Sequence, residues 1–273
     1  MNKQIRDLYY YIGRDEEHNY VATPLSNMII AGVTGAGKST LLNNILIKLI
    51  QESNPNEIDL RLYDLKGSEF LFWQTSIPEG KNLPYVSKMV CEASSNACMT
   101  LVEDMEYLVK YINHSYEALD YYLAEQQEEG NFNAEKPKRK SKILVINEYQ
   151  CITEYGSHDI QNRFLDALSH VLEQGEYVDV YVILVSQSHH NVLPDDIVEK
   201  FTTRVCTPLY ESMDGLSNLY LGCNLASKEQ MRYGVAWVKY KKKMPQRLFV
   251  PFYPDTWIRK FIRTYSVHNK QEN

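Results

Sequence analysis

The chain has 273 residues, of which 44% are hydrophobic, 23% charged and 12% aromatic, a composition typical of a globular protein with a buried core. This length suits one large domain, or one domain with short appendages. The formal net charge of −6 argues against a uniformly basic surface that coats nucleic acid, so any contact with DNA must come from local basic patches.

The first part of the chain predicts a strand, a glycine-rich loop and a helix, in that order. Residues 1–27 are expected to form an N-terminal β segment that leads into the core, with short strands and turns within residues 9–24. The run Met-Ile-Ile-Ala-Gly-Val at 28–33 is typical of a strand buried on both faces. Apolar residues then recur at helical spacing, namely Leu41, Leu42, Ile45, Leu46 and Leu49.

The middle of the chain continues the alternation of strands and helices. Residues 58–64 alternate as a second strand, and residues 95–128 carry the longest helical pattern, which Gly130 is expected to end. Residues 130–142 are the clearest loop, and five of the seven residues 136–142 are basic. Such a charge run is either a solvated loop or a segment that contacts phosphate, and the sequence leaves both interpretations open.

The remaining segments complete an α/β pattern, with a further helix around residues 164–172. The remaining predicted strands cover residues 143–147, 178–186, 205–207, 234–239 and 247–251. This alternation predicts an α/β fold with a mostly parallel central sheet flanked by helices, in which the last two strands form a C-terminal edge hairpin. We expect the main domain to cover residues 28–253, and a C-terminal helix and tail to cover residues 254–273.

The glycine-rich loop fits the P-loop pattern Gly-x-x-x-x-Gly-Lys-Ser at residues 32–39. Its glycines allow the backbone to wrap around phosphate oxygens, and the dipole of the following helix attracts negative charge. Lys38 is expected to bridge the β- and γ-phosphates of ATP, and the Ser39 hydroxyl is expected to ligate Mg²⁺. The residues predicted to bind the nucleotide are Gly32, Val33, Thr34, Gly35, Ala36, Gly37, Lys38, Ser39 and Thr40.

A second functional segment follows the apolar strand at 143–146, which leads into Asn147 and Glu148. A P-loop ATPase needs an acid at the end of a neighbouring strand to hold the Mg²⁺ water shell, and a carboxylate to activate the attacking water. Glu148 is the predicted general base. Asn147 is predicted to assist Mg²⁺ as a neutral oxygen ligand, so it is either a tolerated variant or a cause of weakened hydrolysis.

The strand at 178–186 is followed by Gln187. A polar side chain at this position points toward the γ-phosphate, so Gln187 is a candidate sensor that orients the attacking water. The alternative is an ordinary strand-end hydrogen bond. The next residues include His189 and His190, which we interpret as loop residues because no further ligand lies at a metal-binding spacing.

Several segments together resemble one family, the FtsK/SpoIIIE-type DNA translocases of the FtsK–HerA group. Besides the P-loop, the similar segments are residues 11–21, 62–70, 104–106, 182–188 and 201–205. The resemblance covers residues 9–250 and implies a RecA-like P-loop ATPase motor domain standing alone. It also implies a hexameric ring with ATP at the subunit interfaces and double-stranded DNA in the centre.

The resemblance also suggests a role for Arg204, as an arginine that stabilises γ-phosphate charge in a neighbouring subunit. The alternative for Arg204 is a surface salt bridge. Two departures stand out: Asn147 replaces the family's aspartate, and residues 212–217 lack the serine–arginine pair expected there.

These observations predict an ATP-hydrolysing motor that translocates double-stranded DNA in plasmid or conjugative-element transfer, with ATP and Mg²⁺ as cofactors. The DNA contacts are assigned either to residues 136–142 or to Lys241–Lys243. Two alternatives remain: an ATPase that energises specialised protein secretion, and a nucleotide-binding assembly scaffold with little hydrolysis. A small-molecule kinase ranks lower, because no acceptor-binding lid is apparent.

Composition also bears on the cellular location. No apolar stretch approaches the ~20 residues that span a bilayer, and the first residues are polar rather than a secretory signal. The five cysteines include no Cys-x-x-Cys pair, which suits a reducing compartment. We therefore expect a cytoplasmic protein without a membrane span of its own, which works beside membrane-associated transfer or secretion machinery.

Overall fold

The computed structural model describes residues 8–131, 134, 136–187, 193–229 and 234–268. In these residues, strands and helices alternate along the chain. The strands are β1 (Tyr9–Arg14), β2 (Tyr20–Pro24), β3 (Met28–Ala31), β4 (Ile58–Asp64), β5 (Lys81–Asn82), β6 (Val86–Cys91), β7 (Ser141–Asn147), β8 (Val180–Ser186), β9 (Thr203–Cys206), β10 (Val235–Tyr240), β11 (Gln246–Phe249) and β12 (Val267–His268). The helices are α1 (Lys38–Glu52), α2 (Glu69–Ser76), α3 (Ser95–Glu128), α4 (Cys151–Tyr155), α5 (His158–Gln174), α6 (Asp195–Glu199), α7 (Asp214–Leu221), α8 (Leu225–Lys228) and α9 (Asp255–Tyr265).

One large sheet of the order β2-β1-β11-β10-β9-β3-β8-β7-β4-β6 organises the fold. The six strands from β9 to β6 are parallel to one another, and the four strands from β2 to β10 are joined antiparallel. The carboxyl ends of the parallel strands therefore meet along one side of the sheet, which we call the carboxyl edge. The opposite side, where these strands begin, is the amino edge.

The sheet is buried on both faces, which explains the uninterrupted apolar runs of its central strands. Every residue of β3 and of β8 is buried. One core, formed with α3 and α5, includes Leu101, Met105, Phe164 and Leu168. The other core, on the side of α1, α2 and α9, includes Leu42, Ile45, Trp73 and Ile262. The predicted α/β fold, with a mostly parallel sheet flanked by helices, is therefore confirmed.

The longest helix, α3, follows the predicted bounds, residues 95–128. The Ser94 hydroxyl caps its start by accepting from the Ala97 amide at 3.1 Å, and Gly130 just beyond its end adopts a φ of 83°, a conformation that favours glycine. Among the described helices, none combines the length and the apolar composition of a membrane-spanning segment.

The position of the C-terminal hairpin corrects the sequence prediction. Strands β10 and β11 form the predicted hairpin, but it does not lie at the edge of the sheet. Strand β11 pairs with β1 through Arg14 and Phe249, so the N-terminal hairpin of β1 and β2 covers it and β2 becomes the outer strand. The prediction missed this because pairing between distant segments leaves no local pattern.

Some elements differ from the sequence prediction. Strand β3 ends at Ala31, because the phosphate loop begins directly at Gly32. Strand β7 starts at Ser141, two residues inside the predicted loop of residues 130–142. The prediction also missed α2 and β6. Strand β6 is half-buried along most of its length and lies at the end of the sheet, so its sequence lacks a strong apolar signal.

Candidate functional site

The loop from Gly32 to Gly37 joins β3 to α1 at the carboxyl edge. Gly35 and Gly37 have φ angles of 79° and 94°, which side chains rarely tolerate. At Gly32 the restriction is space, because an added Cβ would lie 1.8 Å from Thr207 Oγ1. The shape of the loop therefore requires glycines at these positions. The loop is followed directly by the N-terminus of α1, and helix N-termini bind anions.

Lys38 is folded into this loop. Its Nζ donates to the carbonyl oxygens of Gly32 at 2.8 Å and Val33 at 2.9 Å, and the residue is buried. Burial lowers the pKa of the Lys38 ammonium to about 8, with Glu148 opposing this shift and Lys66 adding to it. A bound phosphate would replace weak carbonyl partners with full negative charge, so this lysine is prepared for an anion.

Glu148 directly follows β7 and is buried. Its φ of 57° is unfavourable for a residue with a Cβ, and such strain of about 1–3 kcal/mol is concentrated at functional sites. The Gln150 amide donates to the Glu148 carboxylate, and Glu148 acts electrostatically on Lys38. The structure therefore brings the predicted base close enough to the phosphate loop to influence its lysine.

Asn147 makes a contact that the sequence did not suggest. Its Nδ2 donates to Asp64 Oδ1 at 3.1 Å, since the ends of β7 and β4 lie side by side. Asp64 is fully buried. With Nδ2 turned to Asp64, the amide oxygen of Asn147 is the atom available to a metal-bound water.

Asp64 organises the turn that follows β4. Its Oδ2 accepts from the backbone amides of Ser68, Glu69 and Phe70 at 2.7, 2.5 and 3.1 Å, and its Oδ1 accepts from the Lys66 amide at 3.2 Å. Both oxygens are therefore committed to the protein. This carboxylate caps the start of α2 and does not face the phosphate loop as a free ligand.

Gln187 lies beside the phosphate loop, as its place after β8 predicts. The Thr34 hydroxyl donates to Gln187 Oε1 at 2.8 Å, and β8 is the direct neighbour of β3 in the sheet. This hydrogen bond joins the phosphate loop to Gln187, the residue predicted to act as a γ-phosphate sensor. His189 and His190, predicted to be loop residues, lie outside the described residues. Among the residues that are described, no cluster of three His, Cys, Asp or Glu side chains could hold a metal ion.

Glu69 is a site residue that sequence reasoning missed. It opens α2, its carboxylate accepts from Asn43 Nδ2 at 2.7 Å, and it shares the wall of a cavity with Ser39. Burial raises the pKa of Glu69, and the neighbouring Ser39 and Asn43 side chains lower it in part. The sequence could have indicated Glu69, because it lies in the short segment after Asp64. The turn in this segment brings Glu69 next to α1.

A cavity of about 260 Å³ opens beside Ser39, between α1, α2 and the segment before α9. Polar, aromatic and aliphatic residues share its wall, namely Ser39, Thr40, Asn43, Ser68, Glu69, Phe72, Phe252, Tyr253, Asp255 and Ile258. The cavity adjoins the end of the phosphate loop at Ser39 and Thr40, the first turn of α1.

These residues fit a magnesium nucleotide. The glycine conformations leave the loop amides free of side chains, and Lys38 supplies a buried positive charge. Lys38 and the loop amides would hold phosphates, while Ser39 would ligate Mg²⁺ and Asn147 would contact its water shell. When bound, Mg²⁺ neutralises phosphate charge and orients the phosphate oxygens.

Arg204 is not brought to the phosphate loop of its own chain. It lies on β9, between β3 and β10, and its Nη1 donates to the Leu219 carbonyl oxygen at 3.3 Å. Burial lowers the pKa of this guanidinium, and its Nε has no hydrogen-bond partner. The surface salt bridge considered as its alternative is also absent from the salt bridges within the described residues.

Both basic stretches lie at the amino edge, away from the phosphate loop. In the first, Lys136 Nζ donates to the Tyr177 carbonyl at 3.0 Å, and Arg139 donates to the Ser115 carbonyl at 3.2 Å. The second is the turn between β10 and β11, where the Lys241 amide donates to the Thr202 carbonyl at 2.7 Å. The lysines of this turn are exposed.

Comparisons with known proteins agree with the geometry. Residues 9–116 match the model of the FtsK/SpoIIIE family. The DNA translocase FtsK of Staphylococcus epidermidis is 22% identical over 270 residues, which is 96% of this chain and 32% of that protein. The DNA translocase FtsK of Chlamydia muridarum is 26% identical over 194 residues, or 66% of this chain and 22% of that protein. The chain thus spans at most about a third of the length of these curated relatives.

Solved structures share the fold. The cytoplasmic domain of the Thermomonospora curvata type VII secretion ATPase EccC superposes with a TM-score of 0.72 at 17% identity, covering all of this chain and 32% of that one. The pCW3 conjugation coupling protein TcpA, solved with ATPγS, gives a TM-score of 0.70 at 17% identity, covering 96% of this chain and 70% of that one. The resemblance predicted from the sequence is therefore confirmed.

Proposed function

We propose that this chain, an FtsK-like P-loop ATPase motor domain related to the FtsK/SpoIIIE family, hydrolyses ATP to move double-stranded DNA in plasmid or conjugative-element transfer. The observation that carries the ATPase part is the meeting of Lys38, Glu148 and Gln187 around one glycine loop. The DNA part rests on the curated relatives, which are named DNA translocases, and on a similar structure named a conjugation coupling protein.

The catalytic sequence that we propose assigns one task to each side chain. Lys38 leaves the carbonyls of Gly32 and Val33 and pairs with the β- and γ-phosphates. Glu148 takes the proton from the attacking water. Gln187, which already contacts Thr34 of the loop, orients this water and detects the γ-phosphate.

Assembly belongs to the same proposal. We propose a cytoplasmic homo-oligomeric, hexameric ring with double-stranded DNA in its centre, which is recruited by membrane-associated transfer machinery. Arg204 would then act on the nucleotide of the neighbouring subunit. That role requires the Arg204 side chain to leave the Leu219 carbonyl, and its unpaired Nε lowers the cost of such a movement.

The test is steady-state ATP hydrolysis with and without long linear double-stranded DNA, at low and at moderate salt. We expect DNA to stimulate turnover, and we expect the stimulation to fall as salt rises, because contacts with phosphate release counterions. Turnover that ignores DNA at every salt concentration would contradict a DNA motor.

A second candidate is an ATPase that energises protein secretion. The likeness to a type VII secretion ATPase and the net charge of −6 favour it. In that case, basal turnover would be measurable and indifferent to DNA, and a peptide cargo would raise it. A third candidate, a nucleotide-binding scaffold with little hydrolysis, rests on the neutral Asn147, and it predicts nucleotide-dependent assembly without turnover.

A further inference from the structure

The metal site predicted at Ser39 lacks an acid at its usual place. A hydroxyl that ligates Mg²⁺ through its oxygen keeps its proton, so it needs a hydrogen-bond acceptor nearby. The last position of β7, where an acid would hold the Mg²⁺ water shell, is occupied by Asn147, whose Nδ2 donates to Asp64. An amide oxygen can accept a hydrogen bond, but it adds no negative charge beside a divalent cation.

Asp64, the buried acid that accepts from Asn147, cannot take over this task as the structure stands. Its two oxygens accept from four backbone amides and from Asn147. A carboxylate with this many donors is held in place, and moving it would uncap α2. The acid that supports the metal must therefore come from another residue.

Glu69 has the required position. Its carboxylate accepts from Asn43 Nδ2 at 2.7 Å, one turn along α1 from Ser39, the predicted metal ligand. Its backbone is held by Asp64, which accepts the Glu69 amide at 2.5 Å. Glu69 also lines the cavity beside Ser39 and Thr40, so its side chain and the predicted metal ligand border the same space.

We propose that Glu69 is the acidic partner of the Mg²⁺ site, which accepts a hydrogen bond from the Ser39 hydroxyl and supplies the negative charge that Asn147 lacks. In this arrangement, Ser39 presents its lone pair to the cation and its proton to Glu69. Asp64 acts through Glu69, as a positioning residue. The inference rests on the nucleotide binding of the proposed function, but it does not depend on whether the cargo is DNA.

The experiment measures the affinity of the full chain for ATPγS in excess Mg²⁺ and in EDTA, for the wild type and for Glu69→Gln. The glutamine keeps the shape of the side chain and an acceptor for Ser39 and Asn43 while removing the charge. We expect the gain in affinity that Mg²⁺ gives to fall about tenfold in the variant, as is typical for loss of a group that orients metal ligands. The affinity in EDTA should stay within about twofold, a difference of a few tenths of a kcal/mol.

Two further variants make the result specific. Asp159→Asn removes an exposed carboxylate on α5 that pairs with Arg163 and does not line this cavity, so it should leave the Mg²⁺ gain unchanged. Glu69→Asp keeps the charge but withdraws it from Ser39 by one methylene, so it should give an intermediate loss. Thermal unfolding in EDTA verifies that each variant is folded, and the Asp variant carries the test if the Gln variant is not.

The outcomes separate this inference from the proposed function. A wild type that binds ATPγS with a large Mg²⁺ gain, together with an equal gain in Glu69→Gln, would overturn the role of Glu69 alone. Equal losses in Mg²⁺ and in EDTA would also overturn it, because Glu69 would then only shape the cavity. A wild type that binds no nucleotide under either condition would overturn the proposed function and this inference together.

Discussion

The two edges of the parallel sheet differ in how their polar residues are held. At the carboxyl edge, the ends of separate strands bring Lys38, Glu148 and Gln187 around one loop, and each is buried or hydrogen-bonded there. At the amino edge, the basic residues lie before β7 and in the turn after β10, and most of them are exposed. Catalysis needs side chains held at set distances from the reacting atoms. Binding the regular phosphate backbone of DNA needs only accessible positive side chains.

The largest effect is expected for Glu148→Gln at the carboxyl edge. The variant keeps the shape of the side chain and the contact with Gln150, but it cannot accept a proton from water. We expect the turnover number to fall by about 10²- to 10⁴-fold, the range typical for loss of a general base. The affinity for ATPγS, measured by calorimetry, should change little.

A matched control is Gln150→Ala, which removes the donor to the Glu148 carboxylate and keeps the base. Its turnover should drop far less than that of Glu148→Gln. If the Glu148→Gln variant turned over ATP at the wild-type rate, another residue would have to be the general base. The catalytic roles proposed for the carboxyl edge would then be wrong.

Much of the carboxyl edge could be predicted from the sequence, because local chemistry dictates it. The loop Gly32–Ser39 needs glycines at set positions, and the strands before Asn147 and Gln187 are continuous apolar runs. Helix α3 could also be predicted within its bounds, because its buried apolar positions recur at helical spacing from Ala97 to Leu119. In each case the signal lies within one segment of the chain.

What could not be predicted depends on contacts between distant segments. The Asn147 amide meets Asp64 only because β4 and β7 are neighbours, 83 positions apart in sequence. Glu69 reaches α1, where it accepts from Asn43, only because Asp64 turns the chain into α2. The place of the β10–β11 hairpin inside the sheet depends on one pairing with β1. Sequence periodicity carries none of this information.

The second prediction concerns the pH dependence of nucleotide binding. Burial lowers the pKa of Lys38 to about 8 in the free protein, and an anionic phosphate favours the charged form. Binding therefore takes up a proton above pH 8, and the affinity for ATPγS should fall by up to about tenfold per pH unit from pH 8 to 9.5. Phosphate groups, with their last pKa near 6 to 7, do not titrate in this range.

The control for this prediction is Lys38→Met, which keeps an apolar stem of similar length. It should bind ATPγS at least about 100-fold more weakly, since it loses charge-assisted bonds to phosphate. Its remaining affinity should not vary between pH 8 and 9.5. A wild-type affinity that is equally flat over this range would mean that the lysine is not deprotonated in the free protein.

The third prediction concerns Asn147→Asp, which restores the aspartate that the sequence comparison with the family leads one to expect at this position. In the structure, this change removes the donor to Asp64 and places two carboxylates in contact at a buried position. We expect the free energy of unfolding of the nucleotide-free protein to fall by about 1–3 kcal/mol at pH 7, with Tm lowered by several degrees.

The sign of its pH dependence follows from the same contact. Repulsion raises the pKa of one carboxyl of the pair, so the deficit is present above this pKa and shrinks as falling pH protonates the group. Asn147→Ala loses the same hydrogen bond without adding charge, so its smaller deficit should not vary with pH between 4 and 7. Equal stability of Asn147→Asp and the wild type at pH 7 would show that the two side chains separate.

The smallest effect is expected at the amino edge, where the two basic stretches can be told apart. Lys136 and Arg139 already contact the chain's own carbonyls, whereas Lys242 and Lys243 are exposed in the turn after β10. The double variant Lys242→Gln and Lys243→Gln should therefore weaken binding to double-stranded DNA several-fold at low salt. It should also reduce the slope of log affinity against log salt by roughly two.

The matched change is Lys136→Gln, which removes one charge from the other stretch. It should leave the salt slope nearly unchanged, because this ammonium is held over the Tyr177 ring at 3.6 Å from the ring centroid and is not free to follow a phosphate backbone. The reverse result would assign the DNA contact to residues 136–142. In that case, basic side chains held by contacts with the protein would predict DNA binding better than exposed lysines do. The amino edge would then resemble the carboxyl edge, where the functional side chains are also held by such contacts.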